Sequence, residues 1–124
     1  MERDLKSVLS FLADFIDRNE ESVVLVEGKR DKAALERFGI ERVVELKGKR
    51  YHDVAEELAE SYSVVILLTD FDPEGEEIFR KLSRVLSSYG LKVDSSVREA
   101  LRETGIKFIE KIPYEILRRR DGGV

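Results

Sequence analysis

Two aspartates, Asp70 and Asp72, stand two residues apart directly after an apolar run, and their spacing is the strongest chemical signal in the chain. The run, residues 64–68, is typical of a central strand that is covered on both faces. Side chains at i and i+2 of an extended backbone point the same way, so the two carboxylates converge at the mouth of the sheet. A divalent cation with oxygen ligands would remove their mutual repulsion. Magnesium fits most naturally, and manganese is an alternative.

A second apolar run, residues 22–26, also ends in a carboxylate and a glycine, Glu27 and Gly28. Ligands of open parallel sheets bind in the crevice beyond the carboxyl ends of the strands, so Glu27 and Asp70 occupy equivalent positions. These two acids can cooperate only if the first and third strands are neighbours. The sequence therefore predicts a strand order that begins 2-1-3.

Basic residues follow the first two predicted strands, although the net charge of the chain is −4. Lys29 and Arg30 follow the first strand, and Lys47 and Lys49 follow the second. Loops with this charge at the active edge favour phosphate contacts. The alternative is that these side chains only keep the loops solvated.

Two glycines lie next to the acids. Gly28 permits a tight turn with close backbone approach to a phosphate, and Gly75 lets a helix begin directly against the proposed metal loop. The alternative for both is ordinary turning from strand to helix. Glu27, by its place among other carboxylates, has an environment that raises a pKa toward neutrality.

The elements that must position these residues follow from apolar periodicity, which alternates between strand and helix along the chain. The predicted strands are 22–26, 42–46, 64–68, 91–93 and 106–109, and the predicted helices are 4–18, 31–38, 52–61, 73–90 and 96–103. This alternation indicates an α/β sandwich of three layers around a mainly parallel sheet with right-handed crossovers.

Three segments are expected along the chain. Residues 1–21 carry an N-terminal amphipathic helix, residues 22–112 form the main domain, and residues 113–124 form a C-terminal extension that is partly disordered, with fraying from residue 118. The apolar stripe of the first helix packs either on its own sheet or on a second copy, so a homo-oligomer or a larger complex stays open.

The two acidic motifs together resemble the Toprim domain, which is shared by topoisomerases, bacterial-type primases, certain nucleases and recombination proteins. The motif Asp70-Phe71-Asp72-Pro73-Glu74-Gly75-Glu76 is similar to that of type IA topoisomerases, except that Pro73 stands where those enzymes usually carry arginine. The motif Val26-Glu27-Gly28-Lys29-Arg30-Asp31 is more similar to small ribosomal-RNA maturation nucleases. The whole chain most resembles the short stand-alone Toprim proteins of archaea.

This resemblance implies a Rossmann-like fold and a role in phosphoryl transfer on nucleic acid. Asp70 and Asp72 would hold magnesium, and Glu27 would handle the proton and join the metal ligands. The implied activity is that of a magnesium-dependent phosphodiesterase or nuclease. Its substrate is RNA or DNA, and the nuclease-like motif favours RNA processing.

Two other functions stay open. A Toprim module can also bind nucleic acid or assemble a larger complex without cleaving anything. A phosphoacceptor receiver domain also gathers acids around magnesium, but it usually has an acidic pair after its first strand and a lysine after its last. Here the first strand gives Glu27-Gly28, and the best late lysine is Lys111.

Composition limits the remaining classes. The chain has 124 residues, enough for one domain, and no cysteine, which excludes disulfides, thiolate zinc sites and cysteine nucleophiles. No apolar run approaches the ~18 residues of a transmembrane helix. We therefore expect a cytoplasmic protein with no membrane partner.

Overall fold

The structure, a computed structural model, describes residues 4–122. Within this range helices and strands alternate. They are α1 (Leu5–Arg18), β1 (Ser22–Val26), α2 (Lys29–Glu36), β2 (Val43–Glu45), α3 (Tyr51–Ser61), β3 (Val64–Leu68), α4 (Pro73–Ser88), β4 (Lys92–Asp94), α5 (Ser96–Glu103), a 3₁₀ turn (Ile109–Lys111) and α6 (Ile112–Gly122).

The four strands form one parallel sheet in the order β2-β1-β3-β4. The prediction that the first and third strands are adjacent is therefore confirmed, as is the predicted α/β fold class. The register pairs Val26 with Leu68, the last residues of β1 and β3. Both strands consequently end at the same edge, and the acids that follow them leave the sheet side by side.

The sheet is covered on both faces, which explains the uninterrupted apolar runs of β1 and β3. Val24 and Ile66 belong to the core on one face, together with residues of α1 and α5. Val23 and Val65 belong to the core on the other face, together with residues of α3 and α4. Alternate residues of a strand point to opposite faces, so both layers of helices pack against the same two strands.

The N-terminal helix packs on its own domain. Asp4 caps α1 by accepting a hydrogen bond from the Ser7 N–H at 2.8 Å. The apolar stripe of α1 then recurs at helical spacing and is buried in the core beside α5. Its buried members are Leu5, Val8, Leu9, Leu12 and Ile16. Of the two options left open by the sequence, packing on its own sheet is the one that these contacts support.

The predicted last strand, 106–109, is wrong. This segment runs along the loop after β3 and enters the 3₁₀ turn. The Phe71 N–H donates to the Lys107 carbonyl at 2.9 Å, and the Ile109 N–H donates to the Asp70 carboxylate at 2.8 Å. These backbone groups are paired with the loop and its side chain, so they extend no strand.

Several other boundaries also differ from the prediction. The second helix begins at Lys29 and not at Asp31, because Gly28 takes the N-cap position. The C-terminal segment is helical as far as Gly122, where fraying was expected from residue 118. The last two residues of that prediction, 123–124, lie outside the described residues. No helix within residues 4–122 is long and apolar enough to cross a membrane.

Candidate acidic active site

The acids that follow β1 and β3 are in direct contact. The Asp70 backbone N–H donates a hydrogen bond to Oε2 of Glu27 at 2.7 Å. The parallel register that ends both strands at one edge makes this contact possible. The structure therefore brings together the two acids that the sequence placed on separate segments.

Asp70 and Asp72 are each fixed by one backbone donor. Oδ1 of Asp70 accepts from the Ile109 N–H at 2.8 Å, so the segment before the 3₁₀ turn orients this carboxylate. Oδ1 of Asp72 accepts from the Gly75 N–H at 2.7 Å, which makes Asp72 the N-cap of α4. Among the described residues, the second oxygen of each aspartate accepts no hydrogen bond.

Gly75 is the tightest point of the site. A Cβ atom there would lie 2.2 Å from the Asp70 carbonyl oxygen and 2.9 Å from Oδ1 of Asp72. No side chain fits at such distances, so only glycine lets α4 begin directly after residues 69–72, which we call the acidic loop. At Gly28 the nearest atom would be 3.8 Å away, an ordinary contact with Asp31.

A buried arginine, which was not identified from the sequence, binds the backbone of the acidic loop. Arg98 on α5 is 1% exposed and donates to the Thr69 carbonyl at 3.0 Å and to the Asp70 carbonyl at 2.6 Å. Its guanidinium lies between the rings of Phe71 and Phe79, with centroids at 4.5 and 4.7 Å. A planar guanidinium suits this double role of donor and stacking partner.

The charge of Arg98 is balanced at the start of α4. Its Nη1 lies 3.0 Å from Oε1 of Glu76, and Glu76 also pairs with Arg102 at 2.6 Å. The sequence gives no signal for Arg98, because the apolar stripe of α5 consists of Val97, Ala100 and Leu101 and does not include position 98.

The electrostatics of the edge favour a cation. Burial raises the pKa of Glu27, the Asp70 N–H opposes this by its hydrogen bond, and the nearby charges of Asp70, Asp31 and Asp72 raise it further. The pKa of Asp70 is also raised, first by burial, against the hydrogen bond from Ile109. Burial, with the charge of Asp70, raises the pKa of Asp31 to about 6. A positive charge placed among these carboxylates would stabilise their ionised forms.

The donor set fits a hard divalent ion. Glu27, Asp70 and Asp72 offer carboxylate oxygens, the ligands that Mg²⁺ and Mn²⁺ prefer, and each has one oxygen without a hydrogen bond among residues 4–122. In the same range, however, no three acids or histidines are already grouped as a metal-binding cluster. The three acids share an edge, and an ion would have to draw them together.

The predicted phosphate-binding cations lie in exposed loops around this edge. Arg30 is 4.0 Å from Glu110, Lys47 is 3.8 Å from Glu45, and Lys49 is 3.6 Å from Glu57. The pairs of Arg30 and Lys49 are exposed and therefore weak, so these cations can exchange their partners for phosphate. Lys29 is exposed at the start of α2. The Lys47 N–H donates to the Glu27 carbonyl at 3.3 Å, which joins the second basic loop to the end of β1.

Two further acids at this edge were not identified as site residues from the sequence. Asp31 is 7% exposed, and its Oδ2 accepts from the Gly28 N–H at 3.0 Å. Glu45 ends β2, and its buried Oε2 has no hydrogen-bond partner among the described residues. Glu45 lies inside the predicted strand 42–46 and is aligned with Val26 in the sheet, so its position in the sequence did not mark it as a site residue.

Residues 22–109 match the Toprim domain. The UPF0292 protein of Thermococcus onnurineus is 40% identical over 96 residues, which cover 77% of this chain and 71% of that protein. The UPF0292 protein of Methanosarcina barkeri is 34% identical over 109 residues, which cover 87% of this chain and 75% of that protein.

Two solved structures from Aquifex aeolicus are similar in fold. One small protein has a TM-score of 0.80 and 43% identity, and the match covers 88% of this chain and 98% of that one. The other contains the zinc-binding and RNA polymerase domains of a primase, with a TM-score of 0.53 and 29% identity. The second match covers 66% of this chain and 20% of the primase chain.

Proposed function

The chain belongs to the Toprim domain family, and from this membership we propose that it is a magnesium-dependent phosphodiesterase that cleaves nucleic acid, with RNA processing as its setting. The match to the Toprim domain and the similarity to the primase structure support a role connected with nucleic acid. Cleavage, the metal and the choice of RNA are the further steps of the proposal.

The observation that carries the proposal is the 2.7 Å hydrogen bond from the Asp70 N–H to Glu27. It places a proton-handling candidate beside a metal-binding candidate at the edge where α/β sheets bind ligands. The same edge has basic loops on one side and the start of α4 on the other. A phosphodiester that lies across it would meet carboxylates, cations and a helix N-terminus together.

The three acids have two roles in this proposal. Asp70 and Asp72 would hold Mg²⁺, and Glu27 would assist them. The bound ion would neutralise charge on the phosphodiester and make it open to attack by water. Glu27, whose pKa burial raises, takes the proton from the attacking water or gives one to the leaving oxygen. Arg98 keeps the Asp70 backbone in place, and the Glu27 carboxylate keeps its orientation through the Asp70 N–H.

A second candidate is a binding or assembly module that does not cleave. One observation favours it: among residues 4–122 the acids are not grouped into a metal-binding cluster. A receiver domain has less support, because the match over residues 22–109 is to the Toprim domain.

The substitution Glu27→Gln tests the proposal. The glutamine side chain can still accept the Asp70 N–H through its amide oxygen, but it cannot transfer a proton. Cleavage of structured RNA or single-stranded DNA in Mg²⁺ or Mn²⁺ should fall ~10²–10⁴-fold, while binding changes little. Glu60→Gln, an exposed change of the same kind in α3, is the control and should cleave normally.

The two candidates give different results. If the wild type binds nucleic acid but cuts no substrate with either metal, the binding module is supported. If Glu27→Gln cuts as fast as the wild type, Glu27 does not handle the proton. Metal binding is measured separately, by titrating Mn²⁺ into Asp72→Asn, which should bind the ion more weakly than the wild type.

A further inference from the structure

A cavity of about 220 Å³ lies between the segment that follows α5 and the first turns of α6. Its charged wall consists of Lys107, Lys111, Arg118, Arg119 and Glu115. We call it the basic cavity. It was not identified from the sequence, because Lys107 was predicted in a strand and Arg118 and Arg119 in a frayed tail.

Four positive side chains face one negative side chain in the basic cavity. Glu115 is held by Arg118 at 2.7 Å and by Arg119 at 3.1 Å. Among the described residues, Lys107 and Lys111 form no ion pair within 4.0 Å. The wall therefore carries an excess of three positive charges on a chain whose net charge is −4. This contrast points to an anionic ligand.

The basic cavity is joined to the acidic edge through the backbone. The Lys107 carbonyl accepts from the Phe71 N–H at 2.9 Å, and the Ile109 N–H donates to Asp70 at 2.8 Å. The segment that forms one wall of the cavity thus also orients a proposed metal ligand. The basic cavity and the loop that carries Asp70 are therefore held against each other by these two hydrogen bonds.

Size and composition indicate which part of a polymer fits. Pockets that enclose a drug-sized molecule usually measure ~300–1,000 Å³, so the basic cavity is too small for such a ligand and suits a phosphate group. Phe108 also lines it and is half-buried, with the Lys107 ammonium 5.7 Å from its ring centroid. An aromatic ring beside phosphate-binding cations is the combination that binds single strands, since an unpaired base can stack on it.

We propose that the basic cavity binds a backbone phosphate of a single-stranded nucleic acid whose scissile phosphate lies over the acidic edge. This inference rests on the nucleic-acid part of the proposed function and extends it by giving the path of the strand. Two of the cations, Arg118 and Arg119, belong to α6, which lies beyond the span that matches the Toprim domain.

The double variant Lys107→Ala/Lys111→Ala tests the cavity. The probe is a fluorescein-labelled, 15-nucleotide single-stranded RNA, and anisotropy is measured in EDTA over a KCl titration, so that cleavage does not interfere. Affinity should fall about tenfold, and the slope of log K against log salt should shrink by about 0.7 for each phosphate that the variant no longer binds. Both lysines are exposed, so the variant should melt like the wild type.

The matched control is Arg84→Ala/Lys92→Ala. It removes the same charge from exposed positions, on the second half of α4 and at the start of β4, away from the carboxyl edge. Its affinity and salt slope should stay close to those of the wild type. If the two double variants weaken binding equally, only net charge matters and the basic cavity is not a site.

Glu115→Gln should act in the opposite direction. It frees Arg118 and Arg119 from their carboxylate partner, while Arg119 keeps its hydrogen bond to the Thr104 carbonyl at 2.6 Å. Affinity for the RNA should rise several-fold. Unchanged or weaker binding by this variant would contradict the proposal, as would equal affinity for a blunt duplex of the same length.

Failure of this inference can be told apart from failure of the proposed function. If the wild type binds the RNA and Lys107→Ala/Lys111→Ala binds it equally well, the basic cavity is excluded and the acidic site is untouched. If the wild type binds no nucleic acid in any salt, both the cavity and the proposed function are overturned.

Discussion

The ends of β1 and β3 look alike in sequence but are held in different ways. Each apolar run is followed by an acid, and a glycine lies at the start of the next helix, Gly28 as the N-cap of α2 and Gly75 in the first turn of α4. After β3, Gly75 has no space for a side chain and the buried Arg98 binds two successive carbonyls. After β1, a Cβ atom at Gly28 would make only an ordinary contact at 3.8 Å, and the turn depends on the carboxylate of Asp31.

The difference shows which part of the site is fixed by packing and which by charge. The backbone path of the β3 loop is restricted by steric contact at Gly75 and by the buried guanidinium of Arg98. The β1 turn tolerates a change of shape but responds to the ionisation of its acids. Substitutions in the two regions should therefore change the free energy of unfolding by different amounts and with different pH dependence.

Gly75→Ala should have the largest effect on stability. Its Cβ would lie 2.2 Å from the Asp70 carbonyl oxygen, a backbone atom that cannot move without displacing the acidic loop. We expect the free energy of unfolding to fall by more than about 4 kcal/mol, or the protein not to fold. Gly28→Ala is the matched change and should cost about 1 kcal/mol or less, because its φ of −141° suits any residue. Urea unfolding measures both, and equal losses would remove the contrast.

Arg98→Met should have the second-largest effect on stability. Methionine fills much of the space between Phe71 and Phe79 but leaves the buried carbonyl of Thr69 without a donor. The expected loss is about 3 kcal/mol, with weaker Mn²⁺ binding because the Asp70 backbone is released.

The control for Arg98 is Arg102→Met, which removes an exposed partner of the same glutamate. It should cost less than about 1 kcal/mol and leave Mn²⁺ binding intact.

Arg98→Lys should restore part of the stability, since it keeps the charge, but less of the metal binding, since lysine cannot bind two carbonyls in one plane. If Arg98→Met binds Mn²⁺ normally, the arginine supports the fold alone.

The smallest effect is expected at Asp31, and it depends on pH. The folded pKa of Asp31 is raised to about 6 from an ordinary 3.8, so between these values the folded state binds more protons than the unfolded state. The free energy of unfolding therefore falls as pH rises through this window. Asp31→Asn removes the titration and keeps an oxygen for the Gly28 N–H, so it should stabilise by about 1–2 kcal/mol at pH 8 and little at pH 4.

Melting temperatures across pH 4–8 measure this difference. Asp17→Asn, an exposed change on α1, should be neutral throughout the range. If Asp31→Asn gives the same shift at both pH values, the charge of Asp31 has no part in the stability of the β1 turn.

Much of this arrangement followed from local patterns. The apolar runs of β1 and β3 predicted buried strands, and the requirement that Glu27 meet Asp70 predicted the observed order β2-β1-β3. Both inferences use properties that a strand carries in its own sequence: its length, the burial of both faces and the residue at its end.

Other features depend on contacts between distant segments. Segment 106–109 has the composition of a strand, yet its backbone groups pair with the Asp70 loop. Arg98 has the pattern of a surface residue of a short helix until α5 is packed beneath β3. The basic cavity exists only because Glu115, Arg118 and Arg119 are part of a helix, α6, that lies beside Lys107.

The sequence by itself determined the four strands, the first five helices, the parallel sheet and the acids at its edge, because apolar periodicity and strand ends are local properties of each segment. The tertiary structure alone decided how the edge is held and where cations gather beside it. Those features join residues that are 28 positions apart, as in Arg98 and Asp70, or 39 apart, as in Ile109 and Asp70. A hydrogen bond between such positions leaves no mark in the pattern of either segment, since each partner is compatible with many others until folding brings one of them within reach.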